Sequence, residues 1–349
     1  MKHRNIPIFI SHIGCPLRCI FCNQNMQTGT NFNINSINIE KIVNEHLSTY
    51  SESVSSIEIA FFGGTFTGLD IQIQKKMLDQ ATICLKKDKR IKGIRLSTHP
   101  LMVDVNIINF LKNYKITTVE LGIQSFNDKV LDSSNRGYDA RKAKESFELL
   151  KKNIPSAGIQ LMTGLPFDNI QTSYQTAIET VRLAPAFVRI YPTIVFPNTK
   201  LAGLYESGSF QPQSLRDAVD SVKKLIVLFE SEKIPVIRAG IHPVKESEQI
   251  IAGPYHPSFR RLCEEKIRFD LLKLILDKDV RLLEIHCPSK EENYYRGNKN
   301  KNLHSLKKAF RELDINIFPD KTSSFFILNG VKKEILSYQK LRTHYEKKL

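Results

Sequence analysis

Residues 6–24 read IPIFISHIGCPLRCIFCNQ: a β-branched run, then Cys15, Cys19 and Cys22 within a loop carrying Gly14 and Pro16. Iron–sulfur clusters are held by cysteine thiolates, usually four from closely spaced runs. Here the run stops at three, and the next cysteine is Cys84. Three thiolates on a four-iron cube leave one iron open, which a catalytic centre needs. Two other readings remain open for this loop. Cysteines pack as small hydrophobes, and Cys3His with His12 as fourth ligand is a known zinc set. Structural zinc sites, however, usually pair a tight knuckle with two distant ligands, and here every candidate crowds one loop.

Outward from this loop, short apolar strand patterns alternate with amphipathic helical ones. Strands are expected at 6–10, 57–62, 93–97, 118–123, 158–162, 187–191 and 235–239. Helical patterns lie between them, as from Asp139 and from Ser214, two suitable N-caps. Alternating β and α units predict a parallel sheet with helical crossovers, and therefore working residues at the C-terminal strand ends. From Ile241 to about Asp277 a Pro-containing connector leads into one long helix. A small unit follows: strand, helix, RGNKNKN loop, helix and two strands, then a basic helix or tail from Val331.

A length of 349 residues, with 41% hydrophobic and 25% charged residues, fits one large or two unequal globular domains. No apolar run approaches the ~18 residues of a membrane span, and no signal-peptide pattern opens the chain. A cytoplasmic protein without membrane attachment is expected. Cys84, Cys263 and Cys287 are too scattered for a disulfide framework. The net charge of +15 suggests a polyanionic partner, and residues 281–349 hold 15 Lys+Arg against 8 Asp+Glu.

The spacing C-x3-C-x2-C resembles the signature of the radical S-adenosylmethionine (SAM) enzymes, and motifs downstream extend the resemblance. FFGGTFTG (61–68) resembles the turn that binds the methionine moiety of SAM, which implies Gly63, Gly64 and Thr65 as cofactor contacts. Phe9 and Phe21 match aromatic positions beside cluster and adenine. Ser97 in RLSTHP, Gln124 in ELGIQSF, Arg136 in SNRGY and Gln160 in GIQLMTGLP match polar SAM-contacting positions. Gln124 and Arg136 stand twelve apart, as in the oxygen-independent coproporphyrinogen oxidases and their kin. The resemblance implies a 4Fe-4S cluster on Cys15, Cys19 and Cys22, with SAM on the fourth iron. It also implies reductive cleavage of SAM to a 5′-deoxyadenosyl radical and a one-electron donor of flavodoxin or ferredoxin type. Catalytic side chains beyond these stay unassigned; Glu120, Arg189, Tyr191 and Arg238 could face substrate or simply pair.

Within that superfamily the segments VELGIQSFNDKVLDSSNRGY, LMTGLP and RIYPTIVFPNTKLAGLYESGSFQP are similar to the radical SAM domain of Elongator-type proteins, over roughly residues 6–243. No acetyltransferase pattern follows it in this sequence, so acetyl-CoA-dependent chemistry is not expected. The fold expected is α/β: a partial (β/α)6 radical SAM barrel over 1–243, a connector and long helix over 244–280, and a small α+β domain over 281–349. The order of elements in 281–328 resembles a KH module, whose GXXG loop clamps nucleic-acid backbone. Gly297 fits the first glycine and Asn300 replaces the second, with Lys299, Lys301, Lys307, Lys308 and Arg311 around them. Modification of tRNA or another RNA is the leading expectation. The rivals are a small-molecule radical SAM enzyme of the coproporphyrinogen-oxidase kind and a zinc-stapled RNA-binding protein.

Overall fold

A computed structural model describes residues 2–24, 37–242, 244, 249–320, 324–334 and 338–349. The chain divides into two compact units, Met1–Gln213 with Ile234–Tyr255, and Ser214–Lys233 with His256–Leu349. Pro243, at the expected end of the barrel, lies outside the described residues.

Among the described residues the first unit holds a seven-stranded parallel sheet, curled as a half-barrel, in the order β1 to β7. The strands are β1 (Lys2–Phe9), β2 (Val54–Phe62), β3 (Ile91–Thr98), β4 (Ile116–Gln124), β5 (Ser156–Thr163), β6 (Phe187–Pro192) and β7 (Val236–Ala239). All seven overlap the strand runs expected from sequence, one more than a (β/α)6 count because the short β7 joins the sheet. Helices α1 (Ile39–Ser48), α2 (Ile71–Lys87), α3 (Val105–Leu111), α4 (Asp128–Ser133), α5 (Ala140–Asn153) and α6 (Ile170–Leu183) connect them; α7 (Lys200–Glu206) follows β6. The strands read as near-continuous apolar runs because helix-covered parallel sheets bury both faces. Ile57, Ile59, Ala60 and Phe61 of β2 are all inaccessible. Side-chain oxygens of Asp70, Asp104, Asn127, Asp139 and Asn169 cap the helices that follow them.

The second unit contains α8 (Leu215–Ser231), α9 (Phe259–Ile275), and β8 (Leu282–Pro288), α10 (Glu292–Arg296), α11 (Lys301–Ala309), β9 (Asp314–Asp320), β10 (Phe325–Leu328), β11 (Val331–Glu334) and α12 (Tyr338–Glu346). Its sheet runs β11-β10-β8-β9, with β8 parallel to β9 and antiparallel to β10. One face carries Leu283, Ile285, Cys287 and Phe326 into a core with Leu272, Tyr295 and Leu306. The basic helix or tail expected from Val331 opens as a strand, β11, and is a helix from Tyr338, with 335–337 outside the described residues. The reason is local: Asn329 and Gly330 take φ of +47° and +83°. Asn-Gly with positive φ at both positions is the hairpin pair that returns a chain antiparallel.

Candidate active site

The cysteine loop leaves the C-terminal end of β1 and is pinned from several sides. Leu201 N donates to Ile20 O (2.9 Å), Asn23 Nδ2 to Pro197 O (2.8 Å) and Asn135 Nδ2 to Arg18 O (2.8 Å). Ile20 and Phe21 pack against Val195, Leu201 and Phe210. The loop also sits directly on the turn after β2, where Thr65 N donates to Ile13 O (3.1 Å). Two glycines permit that approach. A Cβ on Gly64 would lie 2.3 Å from Ile10 O and 2.4 Å from Ile13 O. One on Gly14, itself at φ +75°, would lie 2.2 Å from Thr65 O.

Cys15, Cys19 and Cys22 open into one cavity of about 760 Å³ at the C-terminal ends of the strands, within the usual range for small-molecule and cofactor sites. Phe9, Phe21, Gly63, Gly64, Thr65, Ser97, Gln124, Arg136 and Gln160 line it too, as do Glu120, Arg189 and Tyr191; Arg238 does not. Cys15 Sγ is 3.4 Å from Thr65 Oγ1, and Arg136 Nη1 donates to Cys19 Sγ at 2.9 Å. Burial, then the charges of Cys19 and Cys15, push the Cys22 thiol up to about 12. Burial likewise raises Cys15. A cationic centre among these thiols would offset the burial that holds Cys15 and Cys22 protonated. Among the described residues no group of three His, Cys, Asp or Glu side chains is arranged to hold one metal ion, the arrangement that the zinc reading needs. His12, the fourth ligand of that reading, accepts from Gln24 N through Nε2 at 2.8 Å.

Glu120, Gln160 and Arg189 bring a buried charge network into the cavity lining. Glu120, fully inaccessible, takes Arg95 Nε at 2.6 Å and Gln160 Nε2 at 2.8 Å. Arg189 Nε lies 2.7 Å from Oε2, the oxygen that Gln160 also reaches. Arg95 also reaches Glu58 at 3.1 Å. Burial works against the Glu58 charge, but hydrogen bonds from His3, Thr117 and Thr118, with Arg95, hold its carboxyl down to about 2. Glu120 is thus a paired structural carboxylate rather than a free base, and it fixes the Gln160 amide. Arg136 is similarly committed, to Gly122 O, Tyr138 Oη and Cys19.

Besides Arg189 Nε, two buried side-chain atoms of the cavity wall have no hydrogen-bond partner among the described residues. Gln124 Oε1 is one; the residue sits at φ +70°, where the β4–β5 register slips by one, and such a bulge re-aims a side chain. His99 Nε2 is the other, and sequence reading missed it. Its Nδ1 accepts from Leu101 N at 3.3 Å. Burial and then Arg136 depress its pKa to about 2, so the ring is neutral with its proton on Nε2. The cavity therefore offers a buried N–H donor and a buried amide oxygen to an incoming ligand. The signal was available in RLSTHP, where His99 follows Ser97 by two at the end of β3.

Residues 9–177 match the radical SAM superfamily model and 185–269 the radical SAM C-terminal domain model. The chain belongs to the radical SAM superfamily: it is an enzyme whose cofactors are a 4Fe-4S cluster and SAM. Its relatives are of the Elongator type. It is 24% identical to the tRNA uridine(34) acetyltransferase of Methanocaldococcus jannaschii, over 51% of this chain and 36% of that protein. It is 26% identical to Elongator complex protein 3 of Mus musculus, over 53% and 37%. The matches thus span little more than a third of those two proteins. In fold, the chain superposes on Elp3 of Methanocaldococcus infernus lacking residues 1–46, with a TM-score of 0.62 and 18% identity over 79% of this chain and 64% of that one. No helix of the described residues is long and apolar enough to cross a membrane.

Proposed function

We propose that this radical SAM enzyme modifies RNA, tRNA foremost. The observation that carries the reading is the likeness of its barrel to proteins named for tRNA uridine and for Elongator. The basic residues 281–349 supply a complementary surface charge.

Cys15, Cys19 and Cys22 hold the cluster, with Arg136 placing a positive charge on Cys19. Gly63, Gly64 and Thr65 present backbone to the amino and carboxylate groups of SAM. Ser97, His99, Gln124 and Gln160 supply polar contacts, and Phe9 and Phe21 pack beside the rings. When bound, cluster and SAM supply one-electron cleavage of SAM, whose product attacks the substrate; a flavodoxin- or ferredoxin-class protein delivers the electron. The chain's own task is to hold these groups rigid and dry at the mouth of the half-barrel.

The test is anaerobic. Protein reconstituted with iron and sulfide and reduced with dithionite should release 5′-deoxyadenosine from SAM, and the Cys15→Ala/Cys19→Ala/Cys22→Ala variant should not. Bulk tRNA should raise that release and acquire a new mass in a nucleoside digest. Release indifferent to tRNA, with no new nucleoside, would refute the RNA substrate.

A further inference from the structure

We propose that the β6–β7 side of the cavity is an oxyanion subsite that holds a phosphate of the substrate, with Arg238 supplying its uncompensated positive charge. This rests on the RNA reading above and names how the substrate backbone is seated. One face of the sheet carries a row of charges: Glu58 on β2, Arg95 on β3, Glu120 on β4 and Arg189 on β6. They alternate in sign and meet at 3.1, 2.6 and 2.7 Å. Gln160 on β5 stands among them and is neutral. Arg238, on edge strand β7, is the direct cross-strand partner of Arg189 and breaks the alternation. Three guanidiniums thus face two carboxylates, and His3, 3.3 Å from Glu58, adds to the same sign when protonated.

Among the described residues no carboxylate pairs with Arg238, and Glu120 is the only acidic side chain whose charge acts on it. Burial, and after it the Arg189 charge, lower the Arg238 pKa, with Tyr191 and Glu120 opposing only in part. A half-buried cation set beside another cation is a strain that an anion relieves. The donors for that anion stand in the cavity wall, where Arg189, Tyr191 and His242 are found. Tyr191 Oη accepts from Arg189 Nη1 at 3.4 Å, which leaves its own O–H to donate. Partial burial, then Arg238 and Arg189, push the His242 pKa down to about 4, so its neutral ring keeps one N–H. Arg238 stands behind this wall and acts through its charge. Among the described residues that line the cavity, Glu120 is the only carboxylate, against Arg18, Arg136 and Arg189. The anionic groups of RNA are its phosphates, and guanidinium with neutral donors is a set that suits them.

The test uses full-length protein reconstituted with its cluster, unreduced and with SAM, dialysed to equilibrium against uridine 5′-monophosphate and against uridine. These probes follow from the relatives named for tRNA uridine. The monophosphate should bind at least about tenfold more tightly than uridine. Arg238→Gln should remove about tenfold of that affinity and leave uridine binding like wild type, and Arg238→Lys, which keeps the charge, should recover part of it. Equal losses for both probes would make Arg238 structural and overturn the subsite. So would equal affinity for the two, binding of neither, or an Arg238→Gln protein that holds the monophosphate like wild type. If tRNA still stimulates 5′-deoxyadenosine release in those cases, the RNA reading stands without the subsite. Arg238-dependent binding of the monophosphate with no response to tRNA would overturn RNA as the source and assign the subsite to a small phosphorylated substrate.

Discussion

Replacing Glu120 by Gln keeps the shape of the charge network in the cavity lining and removes one charge. Arg95 and Arg189 are balanced by Glu58 and Glu120, and the side chains of Arg95, Glu120 and Arg189 are at most 10% exposed. The variant leaves two buried guanidiniums on one carboxylate. Breaking a buried pair by deleting one partner costs about 3–5 kcal/mol, a large part of the ~5–15 kcal/mol that holds a domain folded. At about 2–4 °C per kcal/mol for a unit of this size, the melting temperature should fall by about 6–20 °C. Urea unfolding of the cofactor-free protein, followed by circular dichroism, measures the loss without reference to catalysis. The electrostatic account makes a second, sharper demand. Adding Arg189→Met to Glu120→Gln removes the orphaned cation, so the double variant should be more stable than Glu120→Gln alone, with a coupling of about 1–3 kcal/mol. A Glu120→Gln protein within about 1 kcal/mol of wild type would refute the reasoning, as would a double variant whose two losses simply add.

Gly64→Ala should abolish most cluster uptake, read as iron per chain after reconstitution, because the new Cβ meets two immovable carbonyls under the cysteine loop. Normal iron content would show that the loop accommodates it. His99→Phe should weaken SAM binding about 2- to 10-fold through loss of one buried donor, while His99→Gln, able to donate, should recover part of it; calorimetry on reconstituted protein decides. Burial lifts the Asp168 carboxyl to about 6 despite hydrogen bonds from Ser173, Gly164 N and Asn169 N. A raised folded pKa means the native state holds the proton more tightly. Stability is therefore fullest at low pH and falls as pH rises from about 4 to about 6, by up to about 2–3 kcal/mol. Asp168→Asn should lack this part of the urea-midpoint profile across that window, and an unchanged profile would assign the slope to other groups.

What the sequence made legible follows one physical rule. Strand runs such as IEIAFF are apolar on both faces because the sheet is covered on both, and caps such as Asp139 and Ser214 are local chemistry, so both could be read from short windows. The C-terminal strand ends then collect Gly63, Ser97, Gln124 and Gln160 around the cysteines, since parallel strands all point the same way. Illegible were the features that depend on register between distant segments. Glu120 meets Arg95, Gln160 and Arg189 only because β3 to β6 align those residues, and nothing local distinguishes such a carboxylate from a free base. The Arg189–Arg238 pair is likewise invisible until β7 lies beside β6. The Asn-Gly pair at 329–330 carries a local hairpin signal, although a helix or tail was expected to begin at Val331. A glycine loop announces itself in sequence, whereas a charged wall is assembled from single residues on several strands. The same asymmetry explains the Glu265 contact, in which its carboxylate accepts from Asn298 N of the GNKN loop at 3.2 Å. That carboxylate lies 33 residues before Asn298, and its hold on the loop cannot be seen until α9 and α10 pack.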